Sequence, residues 1–465
     1  MHEVAYLGSY KRLNISKCIE KKLETLVSDE ADLKRPIFIS LVIPTKIDVG
    51  KGTRELEIEV LKRTLSECSK LVDLGYIDEI IIIDGSIDEQ GNIDFSTLIK
   101  VVETAYEELD LFRRQVGLIR ENRSEAMHAK RGFFNFIVRV IHQFDPNMFH
   151  VLKKFGVHEK AGLVDFPIGK GAALWLAVPI SEGDIVCFSD SDIINFQKEF
   201  VVALCDPIVE GVREKSRRVM MTKACYNRLT FTYETPRGTY TFGGRVTRLY
   251  AIPLLKVLTE EFPETFRGLG SLRYPLSGEF SARRELLESI FFPSDYSIEF
   301  SILNQSLRRM DPSTVAQVDL ETFYHIGQAI RGLDAMIAQI TNRILRTLES
   351  DGLNLSKQRR RRIISAYKKA ALSLIPKYWS SFNKLKKDIS LAGRLHYSKE
   401  VDMQRFERFY RHFKHNFLHD PRPQQLILPS WMELASNINY FALSSMLRRR
   451  SNQSTFSRLV GAGLI

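Results

Sequence analysis

Buried strands and amphipathic helices alternate along the first 190 residues of this 465-residue chain. Long runs of Ile, Val and Leu are typical of parallel strands that are buried on both faces of a sheet. Such runs lie at 36–45, 78–86, 116–122 and 184–190, and helix-like stretches lie at 53–74, 96–110 and 166–178. This succession of strand and helix predicts a doubly wound α/β sheet, in which ligands bind at the carboxyl ends of the strands.

The chain after Phe196 has a mixed pattern. Strand-like segments are predicted at 219–227, 231–250 and 318–324, helix-like segments at 251–262 and 328–348, and a helix capped by Ser277 within 275–289. Beyond Gly352 no strand alternation is convincing, so residues 352–465 are predicted to form a helical extension.

Charge is distributed unevenly between the C-terminal quarter and the rest of the chain. The whole chain carries a net charge of +11, but residues 352–465 hold 22 lysines and arginines against 6 acidic residues. A basic segment suits nucleic acid or an anionic membrane, and it equally suits the solvated face of helices. We favour the helical face, because the arginines are interleaved with apolar residues at helical spacing.

The N-terminal sequence and the cysteines indicate the cellular compartment. The first residues contain no apolar stretch of signal-peptide length, and no window approaches 18 uninterrupted apolar residues. The five cysteines lack the spacing of a zinc site and indicate no disulfide framework. The sequence therefore predicts a cytoplasmic protein with no transmembrane segment.

Polar clusters follow three of the predicted strands. They are Pro44-Thr45, Asp84-Gly85-Ser86 and Asp190-Ser191-Asp192. Two carboxylates separated by one residue can share Mg²⁺ or Mn²⁺ with a diphosphate, because these hard cations bind carboxylate and phosphate oxygens. Since Asp-x-Asp is also common in surface loops, the agreement of three strand ends is more informative than the tripeptide alone.

Other short motifs suit an anion, a metal or a sugar, and each also has a purely structural interpretation. GKG at 169–171 and GGRVT at 243–247 combine glycines with a cation, as phosphate sites and ordinary turns both do. His325 follows a strand-like segment, although most single histidines are not metal ligands. Glu279 and Glu299 lie in apolar surroundings and suit either sugar hydroxyls or caps and salt bridges.

Eight segments in one colinear order resemble glucosyl-3-phosphoglycerate synthases, which are retaining glycosyltransferases of the GT-A fold. The segments are DEIIIIDGS, RENRSEAMHAKRG, GKGAALW, FSDSDI, FGGRVTRLYAIPLL, YPLSGEFSARRELLE, YSIEFSIL and VDLETFYHIGQ. The resemblance spans about residues 36–350, and GKGAALW, GGRVT and PLSGEFSARRELLE are far more specific than Asp-x-Asp. It implies transfer of glucose from UDP-glucose to position 2 of 3-phosphoglycerate, with Mg²⁺ or Mn²⁺ as the cofactor.

The resemblance also implies roles for individual residues and domains. Asp192 and His325 would hold the metal, and Asp192 and Glu299 would act at the reacting sugar. The donor would be bound by Pro44, Thr45, Ser86, Lys170, Asp190 and Ser191, and the acceptor by Gly244, Arg245 and Thr247. The implied division is a GT-A domain over 1–350, with a nucleotide-sugar half at about 36–196 and an acceptor half at about 197–350, and a basic helical extension over 351–465.

Two segments depart from the family pattern and keep alternatives open. The first loop reads PTKIDVGKG where relatives usually have Pro before an Asn-Glu pair, and His325 precedes Ile-Gly-Gln where relatives often have a more polar run. A glycerate acceptor or a GDP-mannose donor is therefore a second interpretation. A Mg²⁺-dependent nucleotidyltransferase, or a protein that binds polyanions or membranes through its basic segment, is a more distant one. We expect a homodimer and no nucleic-acid partner.

Overall fold

The structure is a computed structural model, and it describes most of the chain. The described residues are 4–28, 34–47, 53–110, 137–167, 169–214, 219–232, 239–327, 330–388, 395–420 and 425–465. The predicted strand at 116–122 and the segment RENRSEAMHAKRG lie outside these residues, as does most of the loop after Pro44.

Strands and helices alternate through the described part of the chain. The strands are β1 (Ala5–Ser9), β2 (Leu26–Ser28), β3 (Lys34–Pro36), β4 (Ile39–Thr45), β5 (Glu79–Asp84), β6 (Ile137–His142), β7 (Ile185–Phe188), β8 (Met221–Thr232), β9 (Thr239–Phe242), β10 (Phe280–Arg283), β11 (Phe292–Pro293), β12 (Val315–Ile326), β13 (Leu395–His396) and β14 (Ile427–Leu428). The helices are α1 (Ile15–Glu24), α2 (Arg54–Asp73), α3 (Phe95–Glu108), α4 (Pro146–Lys154), α5 (Val157–Lys160), α6 (Lys170–Ile180), α7 (Lys198–Arg213), α8 (Ile252–Glu261), α9 (Arg284–Ser289), α10 (Ile298–Arg309), α11 (Ile330–Ser350), α12 (Lys357–Asp388), α13 (Lys399–His419), α14 (Trp431–Ala435) and α15 (Tyr440–Gly461).

The chain divides into two compact units. The first unit comprises Met1–Ser9, Lys223–Ser277 and Asp295–Leu426, and the second comprises Tyr10–Thr222, Gly278–Ser294 and Ile427–Ile465. The C-terminal extension is therefore shared, with its residues up to Leu426 in the first unit and those from Ile427 in the second.

The second unit contains the predicted parallel sheet. Its strands follow the order β10-β7-β4-β5-β6, in which β7, β4, β5 and β6 run parallel and β10 runs antiparallel to β7. Every residue of β5 and β7 is buried, as expected for strands covered on both faces. The α/β class, with a mostly parallel sheet and flanking helices, is thus confirmed.

One prediction for this unit is wrong. The segment 275–289 was expected to be a helix capped by Ser277, but residues 280–283 form β10 and only Arg284–Ser289 are helical. Burial explains the difference, because Phe280 stacks on Phe188 of β7 with ring centroids 4.6 Å apart. The Ser277 hydroxyl donates to the Ala224 carbonyl at 2.9 Å and caps no helix.

The first unit contains a smaller group of strands and most of the long helices. Strand β1 pairs in parallel with β12, β12 neighbours β8, and β9 pairs antiparallel with β8 and in parallel with β13. Helix α13 buries Phe406, Phe409, Phe413 and Phe417, whose spacing of three and four residues forms one apolar stripe.

The predicted helical extension is confirmed by α12, α13 and α15. Among the helices that the structure describes, none combines the length and apolar character needed to cross a bilayer.

Candidate functional site

Three parallel strands of the second unit end at the same edge of its sheet. Thr45 at the end of β4 is in register with Asp84 at the end of β5, and the Ser189 amide, just after β7, donates to the Val42 carbonyl at 3.1 Å. Carboxyl ends of neighbouring parallel strands form the usual ligand site of a doubly wound sheet. The three polar clusters predicted from the sequence all lie at these strand ends.

Asp84 organises the first two clusters. Its Oδ1 accepts hydrogen bonds from the Thr45 hydroxyl at 2.9 Å and the Ser86 hydroxyl at 2.6 Å. The Ser86 hydroxyl in turn accepts from the Ile47 amide at 2.9 Å, which fixes the start of the loop after β4. Pro44, beside this network, is half-buried. Burial raises the pKa of Asp84 above its ordinary value, opposed by the bonds from Ser86 and by His142.

His142 was not singled out from the sequence, because the strand that carries it was not predicted. It ends β6, and its Nε2 lies 3.8 Å from Asp84 Oδ2 and 2.9 Å from the Ser86 carbonyl oxygen. Burial lowers the pKa of His142, against the attraction of Asp84. An apolar run ending in a polar residue at 137–142 was the available signal.

The GKG motif places Lys170 against the carboxylate pair. Gly169 has a φ of 134°, which only glycine adopts readily, and α6 begins at the next residue. The Gln143 amide group donates to the Gly169 carbonyl at 3.1 Å and supports this turn. Lys170 Nζ lies 2.6 Å from Asp190 Oδ1. Two motifs that are 20 residues apart in the sequence are thus in direct contact.

Asp190, Ser191 and Asp192 are half-buried immediately after β7. Gly278 lies behind Asp190, where a Cβ on that glycine would come within 2.2 Å of Asp190 Oδ2. The donor set fits a hard divalent cation, because it offers carboxylate oxygens, and such cations usually bind through one or two carboxylates together with substrate phosphates. Among the residues described by the structure, no group of three or more His, Cys, Asp or Glu side chains could hold a metal.

GGRVT forms a tight turn in the first unit and then enters a helix. A Cβ on Gly243 would lie 2.3 Å from the Thr230 hydroxyl, and one on Gly244 would lie 2.4 Å from the Tyr274 hydroxyl. Thr247 begins a π-helical turn, Thr247–Ala251, that continues into α8. The strand-like prediction for 231–250 is therefore wrong after Phe242. Burial of Leu249 and Tyr250 and the buried ion pair of Arg248 favour the helical turn.

Arg245 lies at the start of this helical turn and is half-buried. Its pKa is lowered to about 10, first by burial and then by repulsion from Arg405, Arg228 and Arg248, with Asp402 acting in the opposite direction. Such a guanidinium, beside the first amides of a helix, suits an anionic ligand.

His325 and Glu299, the remaining predicted residues, also belong to the first unit. His325 is fully buried in β12, with its ring centroid 5.6 Å from that of Phe323 and 5.8 Å from that of Tyr226. Glu299 lies in the first turn of α10 and is 8% exposed. Asp192, the other predicted metal ligand, belongs to the second unit.

Comparison with known proteins finds sequence similarity to glucosyl-3-phosphoglycerate synthases. The chain is 36% identical over 192 residues to glucosyl-3-phosphoglycerate synthase of Mycobacterium tuberculosis. The matched residues cover 41% of this chain and 56% of that protein. The protein of the same name from Petrotoga mobilis is 34% identical over 184 residues, covering 40% and 52%. The one from Persephonella marina is 26% identical over 340 residues, covering 69% and 78%.

The solved structures similar to this chain include the Mycobacterium tuberculosis enzyme with Mn²⁺, UDP and phosphoglyceric acid. The match has a TM-score of 0.48 and 25% identity and covers 75% of this chain and 87% of that one. No family model matches the chain. The chain spans about half the length of the first curated relatives it matches. By sequence, the chain is thus similar to glucosyl-3-phosphoglycerate synthases over 40–69% of its length.

Proposed function

We propose that this protein is a retaining glycosyltransferase that transfers glucose from UDP-glucose to 3-phosphoglycerate. The observation that carries the proposal is the contact between Lys170 and Asp190 at the strand ends, next to Asp192, in a chain related to glucosyl-3-phosphoglycerate synthases. A cation beside paired carboxylates suits the diphosphate of a nucleotide sugar.

Donor binding is assigned to the strand ends of the second unit. Pro44, Thr45 and Ser86 would line the uridine side, and the hydrogen bonds of Asp84 keep the last two side chains fixed. Lys170 would bind the diphosphate, while Asp190 and Ser191 would face the ribose and sugar. Because Lys170 already contacts Asp190, both side chains are held in place before the donor arrives.

Asp192 and His325 would hold Mg²⁺ or Mn²⁺. When bound, the cation supplies Lewis-acid stabilisation of the charge that develops on the departing diphosphate. Glu299 would hydrogen-bond the donor glucose and orient its anomeric carbon. Gly244, Arg245 and Thr247 would bind the acceptor phosphate, so that the hydroxyl at position 2 is presented to the sugar.

The basic extension is assigned a structural role in this proposal. Arg448 donates to the Ile180 and Ser181 carbonyls at 3.0 and 2.6 Å, and Arg360 pairs with Asp420 at 3.2 Å. Guanidiniums engaged in this way support the packing of helices and are less available to a polyanion. We retain the GT-A domain over 1–350 and the extension over 351–465 as a proposed division. The homodimer and the cytoplasmic location also stay predictions.

One assay separates the proposed function from its alternatives. Purified protein with Mg²⁺ or Mn²⁺ is supplied with UDP-glucose or GDP-mannose and with 3-phosphoglycerate or glycerate. We expect UDP release and a glucosylated product only with UDP-glucose and 3-phosphoglycerate. Pyrophosphate release in a parallel reaction with UTP and a sugar phosphate would indicate a nucleotidyltransferase. A preference for GDP-mannose or glycerate would identify the related activity. Light scattering of the same sample measures whether it is dimeric.

A further inference from the structure

The C-terminal extension stabilises the Gly243-Gly244 turn of GGRVT through Asp402 and Arg248. Asp402, fully buried in the first turn of α13, accepts from Arg248 Nη1 at 2.6 Å and from Nη2 at 3.3 Å. Arg248 Nε donates in turn to the Gly243 carbonyl at 2.8 Å. The backbone of the turn is thus joined to α13 through one buried ion pair.

Arg405 lies one turn further along α13. Its Nη1 is 3.5 Å from Asp402 Oδ1, and its side chain is 22% exposed. Asp402 is already bonded to Arg248 and to the Tyr397 hydroxyl. Arg405 is therefore the more distant of the two arginines that contact this carboxylate, and the more accessible, since the Arg248 side chain is 5% exposed.

Positive charge is concentrated around Arg245. After burial, the largest effects on its pKa are repulsion from Arg405, Arg228 and Arg248, with Asp402 as the carboxylate that opposes them. Burying several cations close together is unfavourable unless anions accompany them. A phosphate dianion offers three acceptor oxygens and can bind more than one guanidinium.

We propose that Arg405, from the C-terminal extension, is a further acceptor-binding residue that shares the acceptor phosphate with Arg245. Asp402 is then a positioning residue, because it holds Arg248 against the turn and Arg405 beside it. The identity of the acceptor rests on the function proposed above, while the presence of a phosphate site at Arg405 does not. Sequence comparison of the catalytic segment alone would miss this residue, because it lies beyond residue 350.

The test compares Arg405→Gln with Arg411→Gln, a matched control on an exposed position of the same helix. We expect Arg405→Gln to weaken binding of 3-phosphoglycerate about ten- to hundredfold in calorimetry, as for the loss of a charge-assisted hydrogen bond. The KM for UDP-glucose should stay unchanged, and Arg405→Lys should restore part of the affinity. Arg411→Gln should match the wild type in every measurement.

The outcomes distinguish this inference from the proposed function. If the wild type transfers glucose to 3-phosphoglycerate while Arg405→Gln and Arg405→Lys bind it with wild-type affinity, Arg405 has no role in acceptor binding. If the wild type transfers nothing to 3-phosphoglycerate, the proposed function fails, and inorganic phosphate becomes the probe. Binding of phosphate that Arg405→Gln weakens would still support the site, and equal binding by both proteins would overturn it.

Discussion

The two carboxylates after β7 have different neighbours, which suits different tasks. Asp190 contacts Lys170 Nζ at 2.6 Å, so its charge is largely compensated within the protein. A compensated carboxylate is suited to accept hydrogen bonds from neutral hydroxyls, as on a ribose or a sugar. Asp192 is the carboxylate that the family resemblance assigns to the metal. The two residues should therefore respond differently to substitution.

Asp192→Asn should abolish transfer while leaving the fold intact. The amide keeps the size of the side chain but lacks the charge that a divalent cation requires from its ligand. Loss of the metal's charge stabilisation should lower kcat on the order of a hundredfold or more. Turnover near the wild-type rate would remove Asp192 from the site. His325→Ala should also lower kcat, with partial rescue if water takes the vacated coordination position.

Gly278→Ala should impair activity through Asp190. The added Cβ would meet the Asp190 carboxylate at 2.2 Å, so that side chain must move from the position in which it contacts Lys170. We expect a several-fold or larger loss of kcat/KM with UDP-glucose and a melting temperature close to that of the wild type. Gly332→Ala is the matched control, because nothing lies within 4 Å of its Cβ and alanine favours the helix there. Equal activity of the two variants would contradict the role given to Gly278.

Arg245→Lys tests the nature of the acceptor. Lysine keeps the charge but loses the planar fork that can donate two parallel hydrogen bonds to a phosphate. The KM for 3-phosphoglycerate should rise about ten- to hundredfold, much more than the KM for UDP-glucose. Activity toward unphosphorylated glycerate, where it exists, should change little. If both acceptors are affected equally, Arg245 binds the carboxylate or supports the fold instead.

The parallel strands were predictable from the sequence because their apolar runs are long and uninterrupted. Strands β4, β5 and β7 lie within the predicted runs, and the polar residues that follow them reach one edge. Strand β10 was missed because SGEFSARRELLE has the charge pattern of a helix, while the packing of Phe280 on Phe188 decides its conformation. A local sequence pattern cannot indicate this contact, because Phe188 and Phe280 are 92 positions apart in the chain.

The support of GGRVT by α13 was unpredictable for the same reason. Arg248 and Asp402 are separated by 154 positions. Each alone is an ordinary charged residue, Arg248 in a segment predicted to be strand-like and Asp402 in the predicted helical extension. The glycines were identifiable from the sequence, whereas the residues that fix the turn are recognisable only from the fold. The motifs of the candidate site could thus be recognised from the sequence, whereas the residues that hold those motifs in place could not.

Asp402→Asn should destabilise the protein and also weaken acceptor binding. It leaves the buried Arg248 guanidinium without its carboxylate, and breaking a buried ion pair costs about 3–5 kcal/mol. Chemical unfolding measures the loss of stability, and calorimetry with 3-phosphoglycerate measures the binding. Glu407→Gln, at a more exposed acidic position of α13, should change neither quantity. An unchanged free energy of unfolding for Asp402→Asn would show that the pair does not support the turn.

The last segment of the chain, residues 427–465, packs within the second unit. Trp431 stacks on Trp175 of α6 with ring centroids 4.1 Å apart, and Trp431 Nε1 donates to the Trp175 carbonyl at 2.9 Å. Trp175 Nε1 donates to the Pro429 carbonyl at 2.8 Å. Further along, Arg458 donates to the Val140 carbonyl of β6 at 2.7 Å. Residues 427–465 therefore complete the packing around the helix that begins with Lys170.

Trp431→Ala should therefore cost about 3–5 kcal/mol of unfolding free energy, as expected for a large buried side chain that leaves a cavity. Met432→Ala is the matched control, because that neighbouring side chain is 59% exposed and should cost little. Removal of residues 421–465 should destabilise the fold more than Trp431→Ala does. The truncation exposes the face of α6 that carries Trp175, and it also removes Thr455 and Arg458, which form hydrogen bonds with Val140 of β6. We expect aggregation or loss of cooperative melting, and with it loss of the Lys170–Asp190 geometry and of glucose transfer. A truncated protein with full activity and an unchanged melting temperature would show that the extension is dispensable for the fold.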